Sequence, residues 1–483
     1  METRASTWGS DVPPLVWQRV LELAEWERDV SGAFRATCTT WRGVHDTLLP
    51  RLEPQLGSTA DEWMCGRWGR FPLVETVKLW LPTTDVFIAR VPELQSLPAL
   101  TKLHLVFFRS MRGCDMQALA QSLPKLSSLS IADLYDEDSD EEEEEEEEEE
   151  GDDVVGLSAL SSLQSLISLK CWSGSRSLVS REGLGALKSL TGLRTLQLYW
   201  PGTYDSTVTD LGALGNLTAL TSLELSKCVS VTDLGALSTL TRLVSLQIQH
   251  FVSLPDAGLR VLANLTTLTE LNLFGCQLVT DVGVTEVARL PALSSLVLGS
   301  GHVTDKGLLV LSSCVTLTQL IFCGATVVTN EGLRALRTLT SLAELGISKF
   351  STVTAEGLRI LSVLPALATI RLRDCSQVAD EEVQALSGLT HLTEIDLLNC
   401  SKVTNVGLQA LRTLPVLRKL HIGTYQDSPE QATACLLYAG GEQLRRDGGP
   451  HPRNCLRAHF GILHIRVGRP LTNSCVHEQL SNS

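Results

Sequence analysis

The feature that most constrains this chain is a period. The stretch LTTLTELNLFGCQLVT, starting at Leu265, returns as LTSLAELGISKFSTVT from Leu339 and as LTHLTEIDLLNCSKVT from Leu389. With the residue equivalent to Leu271 as marker, copies fall at Leu223, Leu246, Leu271, Leu296, Leu320, Leu345, Ile370, Ile395 and Leu420. The steps are 23, 25, 25, 24, 25, 25, 25 and 25 residues. Within a copy, Leu271 and Leu273 alternate with Glu270, Asn272 and Phe274, the period of two expected of a strand with one buried face. A VTDxGL segment follows, as at Val303–Leu308. There Thr or Asp supplies a helix N-cap, and Leu308 and Leu311 share one helical face. One such unit cannot bury both apolar faces, so neighbours must stack.

The spelling L-x-x-L-x-L-x-x-C at this period resembles the leucine-rich repeat. The resemblance implies an α/β fold, a right-handed βα horseshoe. Parallel strands stack about 4.8 Å apart and packed helices roughly 8–10 Å apart. That mismatch bends the stack and puts the strands on a concave wall. Weaker copies have markers at Val77, Leu103, Leu129, Leu169 and Leu196, spaced 26, 26, 40 and 27 residues apart. The expectation is therefore a solenoid of about 14 repeats over residues 73–425, with an inner arc of roughly 62 Å at strand spacing. Trp63, Met64, Trp68 and Phe71 place a linker and N-terminal cap at 53–72.

The 40-residue step contains an insertion, residues 136–153, with sixteen acidic residues including Glu141–Glu150 without a break. Such a run cannot bury apolar surface and is expected to be disordered. It reads either as an electrostatic lure for a basic partner or, preferably, as a tolerated low-complexity insertion. It also accounts for the net charge of −15, since the remainder has 39 acidic against 40 basic residues. No overall basic field points to nucleic acid.

No stretch has the ~18 apolar residues of a membrane span, and METRASTWGS has no signal-peptide core. Of thirteen cysteines, Cys228, Cys276, Cys375 and Cys400 share one repeat position, where a thiol packs as an apolar group. An odd total and repeat-bound spacing favour reduced thiols, and a cytoplasmic or nuclear location follows. His451, Cys455, His459, Cys475 and His477 in the tail 426–483 lack the spacing of a zinc site, so no metal is expected.

Residues 12–52 differ in kind. After Pro13-Pro14, Val16, Trp17, Val20, Leu21 and Ala24 share a helical face, and Val30, Ala33, Phe34, Cys38 and Trp41 form a second stripe. A third short helix is expected from about Trp41 to Leu49. The pattern V-P-x-x-V-W-x-x-V-L, then D-V, then C-x-x-W-R, is similar to an F-box, although Leu15 stands where an acidic residue is common. The TDLGAL strings at Thr209–Leu214 and Thr232–Leu237 resemble the cysteine-containing and GALA-type repeats that often follow an F-box. This resemblance implies docking on a Skp1-like adaptor, and through it a cullin, by Pro13, Val16, Trp17, Val20, Leu21, Val30, Cys38 and Trp41. Residues 1–11 are a leader on this reading.

No nucleotide loop, nucleophile elbow or metalloprotease helix is present, so a non-catalytic chain without a cofactor is expected. Candidate binding residues come from the outward strand positions: Trp172, Tyr199, Trp200 and Phe274, with Lys227 and His250 at matching positions between them. The aromatics read equally as packing for the tail or the acidic loop. Lys349, Arg371 and Arg373 form a further patch, read as an acidic-segment site or, preferably, as solvated surface. Two functions fit: a substrate receptor of a Skp1–cullin–F-box ubiquitin ligase, or a cytoskeletal or ciliary interaction scaffold. Neither involves nucleic acid or membrane.

Overall fold

The computed structural model describes residues 51–52, 71–81, 91, 94–107, 113–133, 157–172, 181–199, 208–324, 327–350, 352–423 and 464–467. The chain divides into two compact units, Met1–Thr203 with Ala213–Leu220, and Tyr204–Gly212 with Thr221–Ser483. The first contains β1 (Arg51–Leu52), β2 (Thr76–Leu81), β3 (Lys102–Phe107), β4 (Ser128–Asp133), β5 (Ser168–Trp172) and β6 (Thr195–Tyr199). The second contains β7 (Ser222–Ser226), β8 (Ser245–Gln249), β9 (Glu270–Leu273), β10 (Ser295–Leu298) and β11 (Gln319–Cys323). It continues with β12 (Glu344–Ser348), β13 (Thr369–Arg373), β14 (Glu394–Leu398), β15 (Lys419–Gly423) and β16 (His464–Val467).

Within each unit the strands pair in chain order, always parallel, and the sequence period sets the register. Val77, Leu103, Leu129, Leu169 and Leu196 stand side by side across β2–β6. Leu223, Leu246, Leu271, Leu296, Leu320, Leu345, Ile370, Ile395 and Leu420 do so across β7–β15. This is the leucine-rich-repeat solenoid the period predicts. The long step changes nothing in the ladder, because Leu129 pairs directly with Leu169. The acidic insertion itself lies outside the described residues.

Two strands lie beyond the expected fourteen. β1 sets Leu52 beside Val77, so the last two residues of the expected head segment belong to the sheet. β16 sets Ile465 beside Leu420, from a tail in which no period is visible. An open parallel edge presents unpaired N–H and C=O groups, and any extended segment can satisfy them whatever its side-chain pattern. Residues 12–50 and the rest of the tail lie outside the described residues.

One repeat shows how the core is made. Leu265, Leu268, Leu271, Leu273, Cys276, Val279, Val284 and Val287 are each at most 1 % exposed. The cysteine belongs to this core chemically as well as sterically. Cys276 Sγ donates to the Ile248 carbonyl at 3.3 Å, and Cys400 Sγ donates to the Leu372 carbonyl at 2.9 Å, each one repeat back. Burial pushes the Cys171 and Cys276 thiols up to about 12, so both stay protonated.

The VTDxGL segment couples repeats through its polar residues. Thr304 caps its own helix, Asp305–Leu311, by accepting from the Lys306 N–H at 3.2 Å. Its own N–H and hydroxyl donate to the carboxylate of Asp281 in the preceding repeat, at 2.8 and 2.7 Å. Thr280 bonds Asp256, Thr329 bonds Asp305, and Thr404 bonds Asp380 in the same way. The two candidate caps thus have different jobs: Thr caps, and Asp ties the next repeat. The glycine lets the carboxylate approach, since a Cβ on Gly307 would sit 2.5 Å from Asp281 Oδ1. Where the next repeat has Ala379 in place of Thr, the preceding one has Ala355 in place of Asp, so no partner is orphaned. Glu382 then accepts the Ala379 N–H at 3.0 Å.

The TDLGAL strings fold otherwise. Each gives a short 3-10 turn, Gly212–Asn216 and Gly235–Thr239. Asp210 and Asp233 accept the N–H of Gly212 and Gly235, at 2.7 and 3.0 Å.

Candidate protein-binding strand face

Alternation along each strand leaves one side for the core and one for partners. β5 and β6 show it plainly: Leu169, Cys171, Leu196 and Leu198 are buried, and the residues around them are half-buried. In the first unit Trp172 and Tyr199 end these strands in register and stack, ring centres 6.2 Å apart and planes 14° from parallel. The sequence placed them on one face, and they form one aromatic surface there. Trp200 lies outside the described residues.

In the second unit Lys227 and His250 hold the repeat position of Trp200, one residue beyond that of Trp172 and Tyr199. The strand positions equivalent to Trp172 and Tyr199 are held by Ser226 and Gln249, which pair with each other. Lys227 and His250 come one residue later, in left-handed backbone conformations with φ of 63° and 57°. The same position holds Gly275, Gly324, Lys349, Asp374 and Asn399, all with positive φ. The reason is local. The left-handed residue sends its N–H to the next strand, Lys227 to the Gln249 carbonyl at 2.8 Å and His250 to that of Phe274 at 2.7 Å. It also turns the chain so that the following residue, such as Cys228, Phe251 or Cys375, enters the core. Glycine and asparagine accept this conformation readily, whereas lysine is strained in it. His250 meets Phe274 edge to face at 5.1 Å. Burial, with help from the charge of Lys227, holds the imidazole below its ordinary pKa.

The expected basic patch also changes character. Arg371 pairs with Glu344 and reaches Glu394 at 3.7 Å, while Arg373 pairs with Asp396 at 2.7 Å. Lys419 and His421 reach the same Glu394 at 3.2 and 3.7 Å. Asp396 is only 1 % exposed. Charge is balanced across β12–β15, so this region is an ion-pair network and not a basic patch. Lys349 stands apart from it in the left-handed turn. Writing the repeats in columns brings acids and bases side by side, with Glu344, Thr369, Glu394 and Lys419 in one column and Arg371, Asp396 and His421 in another, but leaves open which of them pair.

The expected adaptor-docking residues Pro13, Val16, Trp17, Val20, Leu21, Val30, Cys38 and Trp41 lie outside the described residues. Among the described residues no cluster of three or more His, Cys, Asp or Glu is placed to hold a metal. No described helix is long and apolar enough to cross a membrane.

By fold, then, each unit is a leucine-rich-repeat stack that presents a polar strand face. The family model described as "Leucine Rich repeat" matches residues 264–288, one of the sharp repeats. No curated protein sequence matches the chain. Among solved structures, an internalin (inlF) from Listeria monocytogenes is 19 % identical over 82 % of this chain and 94 % of its own, with a TM-score of 0.43. Internalin C2 from the same organism is 26 % identical over 43 % of this chain and 83 % of its own, with a TM-score of 0.34. TLR13, solved as a complex with ssRNA13, is 20 % identical over 78 % of this chain and 53 % of its own, with a TM-score of 0.47.

Proposed function

We propose that this chain is the substrate-recognition subunit of a Skp1–cullin–F-box ubiquitin ligase. The observation that carries the reading is the F-box-like pattern of residues 12–52 immediately ahead of a long repeat array. The head docks on the adaptor through its apolar face, and the strand face holds a protein substrate for ubiquitin-dependent degradation. The resemblance of the TDLGAL strings at Thr209–Leu214 and Thr232–Leu237 to GALA-type repeats supports this pairing of modules. The chain supplies no nucleophile; its contribution is to hold the substrate near the ubiquitin carrier, where proximity replaces a bimolecular encounter. Its place of action is the cytoplasm or nucleus.

A second reading is favoured by one observation. The pairing of β1 with β2 makes the end of the head continuous with the sheet, as a simple cap would be. The chain is then a cytoskeletal or ciliary interaction scaffold without a ubiquitin role. Capture on immobilised Skp1 separates the two. The ligase reading expects the intact chain to be retained, and Val20→Glu to abolish retention while thermal unfolding of the repeats stays unchanged. An intact chain that washes through leaves the scaffold.

A further inference from the structure

The strand face of the first unit has a composition unlike the rest of the chain. Register places three rows side by side on β2–β6. The first is Thr76, Lys102, Ser128, Ser168 and Thr195; the second is Lys78, His104, Ser130, Lys170 and Gln197. The third includes Val106, Ala132, Trp172 and Tyr199. Three lysines and a histidine thus stand on a floor of small hydroxyl side chains, beside a stacked aromatic pair. None of these outward positions is acidic. The single acid within β2–β6, Asp133, ends β4 beyond the aromatic row. The chain as a whole has 55 acidic residues, and the strands of the second unit carry Glu224, Glu270, Glu344, Glu394 and Asp396.

We propose that the strand face of β2–β6 is the docking surface for an extended acidic segment of a partner protein. The inference rests on the reading of the strand face as the substrate-binding side and adds the chemistry of the substrate. Lys102 and Lys170 meet its carboxylates, and the Trp172–Tyr199 pair is the ledge on which one apolar side chain of the segment rests. Lysines on a low hydroxyl floor suit carboxylates spaced along an extended chain, since each ammonium acts as a mobile point charge. The aromatic geometry disfavours a nucleic acid strand. The near-parallel pair makes one platform, whereas a strand of successive bases needs several.

The test is fluorescence anisotropy with the full chain and a labelled twelve-residue peptide of Asp and Glu around a central Phe-Phe. Binding should weaken as salt rises from 50 to 300 mM. Combining Lys102→Gln with Lys170→Gln should weaken it about tenfold, Trp172→Ala by a similar factor, and Lys402→Gln, on the second unit, not at all. Unfolding midpoints of all variants, read alongside, separate lost contacts from lost fold. Affinity indifferent to Lys102, Lys170 and Trp172 overturns the proposal. So does binding that emerges only when Glu141–Glu150 are replaced by glutamine, which assigns the face to the chain's own acidic run. A single-stranded oligonucleotide that binds more tightly than the peptide through the same residues also overturns it. Skp1 capture is scored on the same preparations. Peptide binding lost with capture retained strikes this inference alone, and the reverse strikes the ligase reading alone.

Discussion

Three bulky side chains, Lys227, His250 and Lys349, occupy a backbone conformation that glycine fills at Gly275 and Gly324. The left-handed region costs a residue with a Cβ about 1–2 kcal/mol, and the hydrogen bonds to the next repeat hold them there. Lys349→Gly should therefore raise stability by about 1 kcal/mol after the entropy cost of glycine, whereas Asn399→Gly should change it by less, because asparagine tolerates this region. Urea midpoints compare the two. His250 allows a pH prediction. Its folded pKa is depressed, so its stabilising contribution is complete above the unfolded value of about 6.5 and is lost as pH falls through the folded value. NMR titration of the ring should give a pKa below that of a histidine peptide, and Lys227→Gln should move it upward.

At the scale of the element, the Thr–Asp tie between successive helices is the main polar device. Gly307→Ala drives a methyl into Asp281 and Val303 and should cost about 1–3 kcal/mol. Gly185, in the helix Arg181–Leu187, has nothing within 4 Å of a would-be Cβ. Gly185→Ala should instead stabilise by about 0.5–1 kcal/mol through helix propensity. Thermal unfolding of both variants tests whether the glycine of VTDxGL is there for space or for a turn. Burial alone would raise the Asp380 pKa, but the Thr404 hydroxyl and N–H and the Gly407 N–H outweigh it and hold the carboxyl below its ordinary value. Its tie therefore stabilises above about pH 3.9 and fails as pH falls through the lower folded value. Asp380→Asn should remove that part of the acid transition.

For the whole molecule, each repeat mainly touches its neighbours, so stability is a sum over repeats and interfaces. Deleting residues 320–344, one marker to the residue before the next, should leave a cooperative unfolding transition at a lower midpoint, because Gln319 then runs into Leu345 in register. Deleting only 320–331 should abolish that transition, since half a period sets strand against helix. Circular dichroism melts read both.

The register of fourteen strands was legible because a solenoid is dictated by local spacing: each leucine column is a period printed in the chain, and burial follows from alternation. The ladder of Thr and Asp was only half legible. Its residues recur visibly, but an Asp that caps its own turn at Asp233 and one that ties the next repeat at Asp281 are spelled alike. The binding face was least legible. Alternation puts Trp172 and Tyr199 at one strand position, but it gives no sign that Lys227 and His250 leave the strand in a left-handed turn, and it shows Arg371 and Arg373 without their acids. By itself, then, the sequence determined which residues are core and which strand follows which, since those depend on neighbours a period away. Only the tertiary structure decided which charges neutralise one another, which backbones turn left-handed and which edge strands join the sheet. Those outcomes depend on angles and distances between repeats, which no single period encodes.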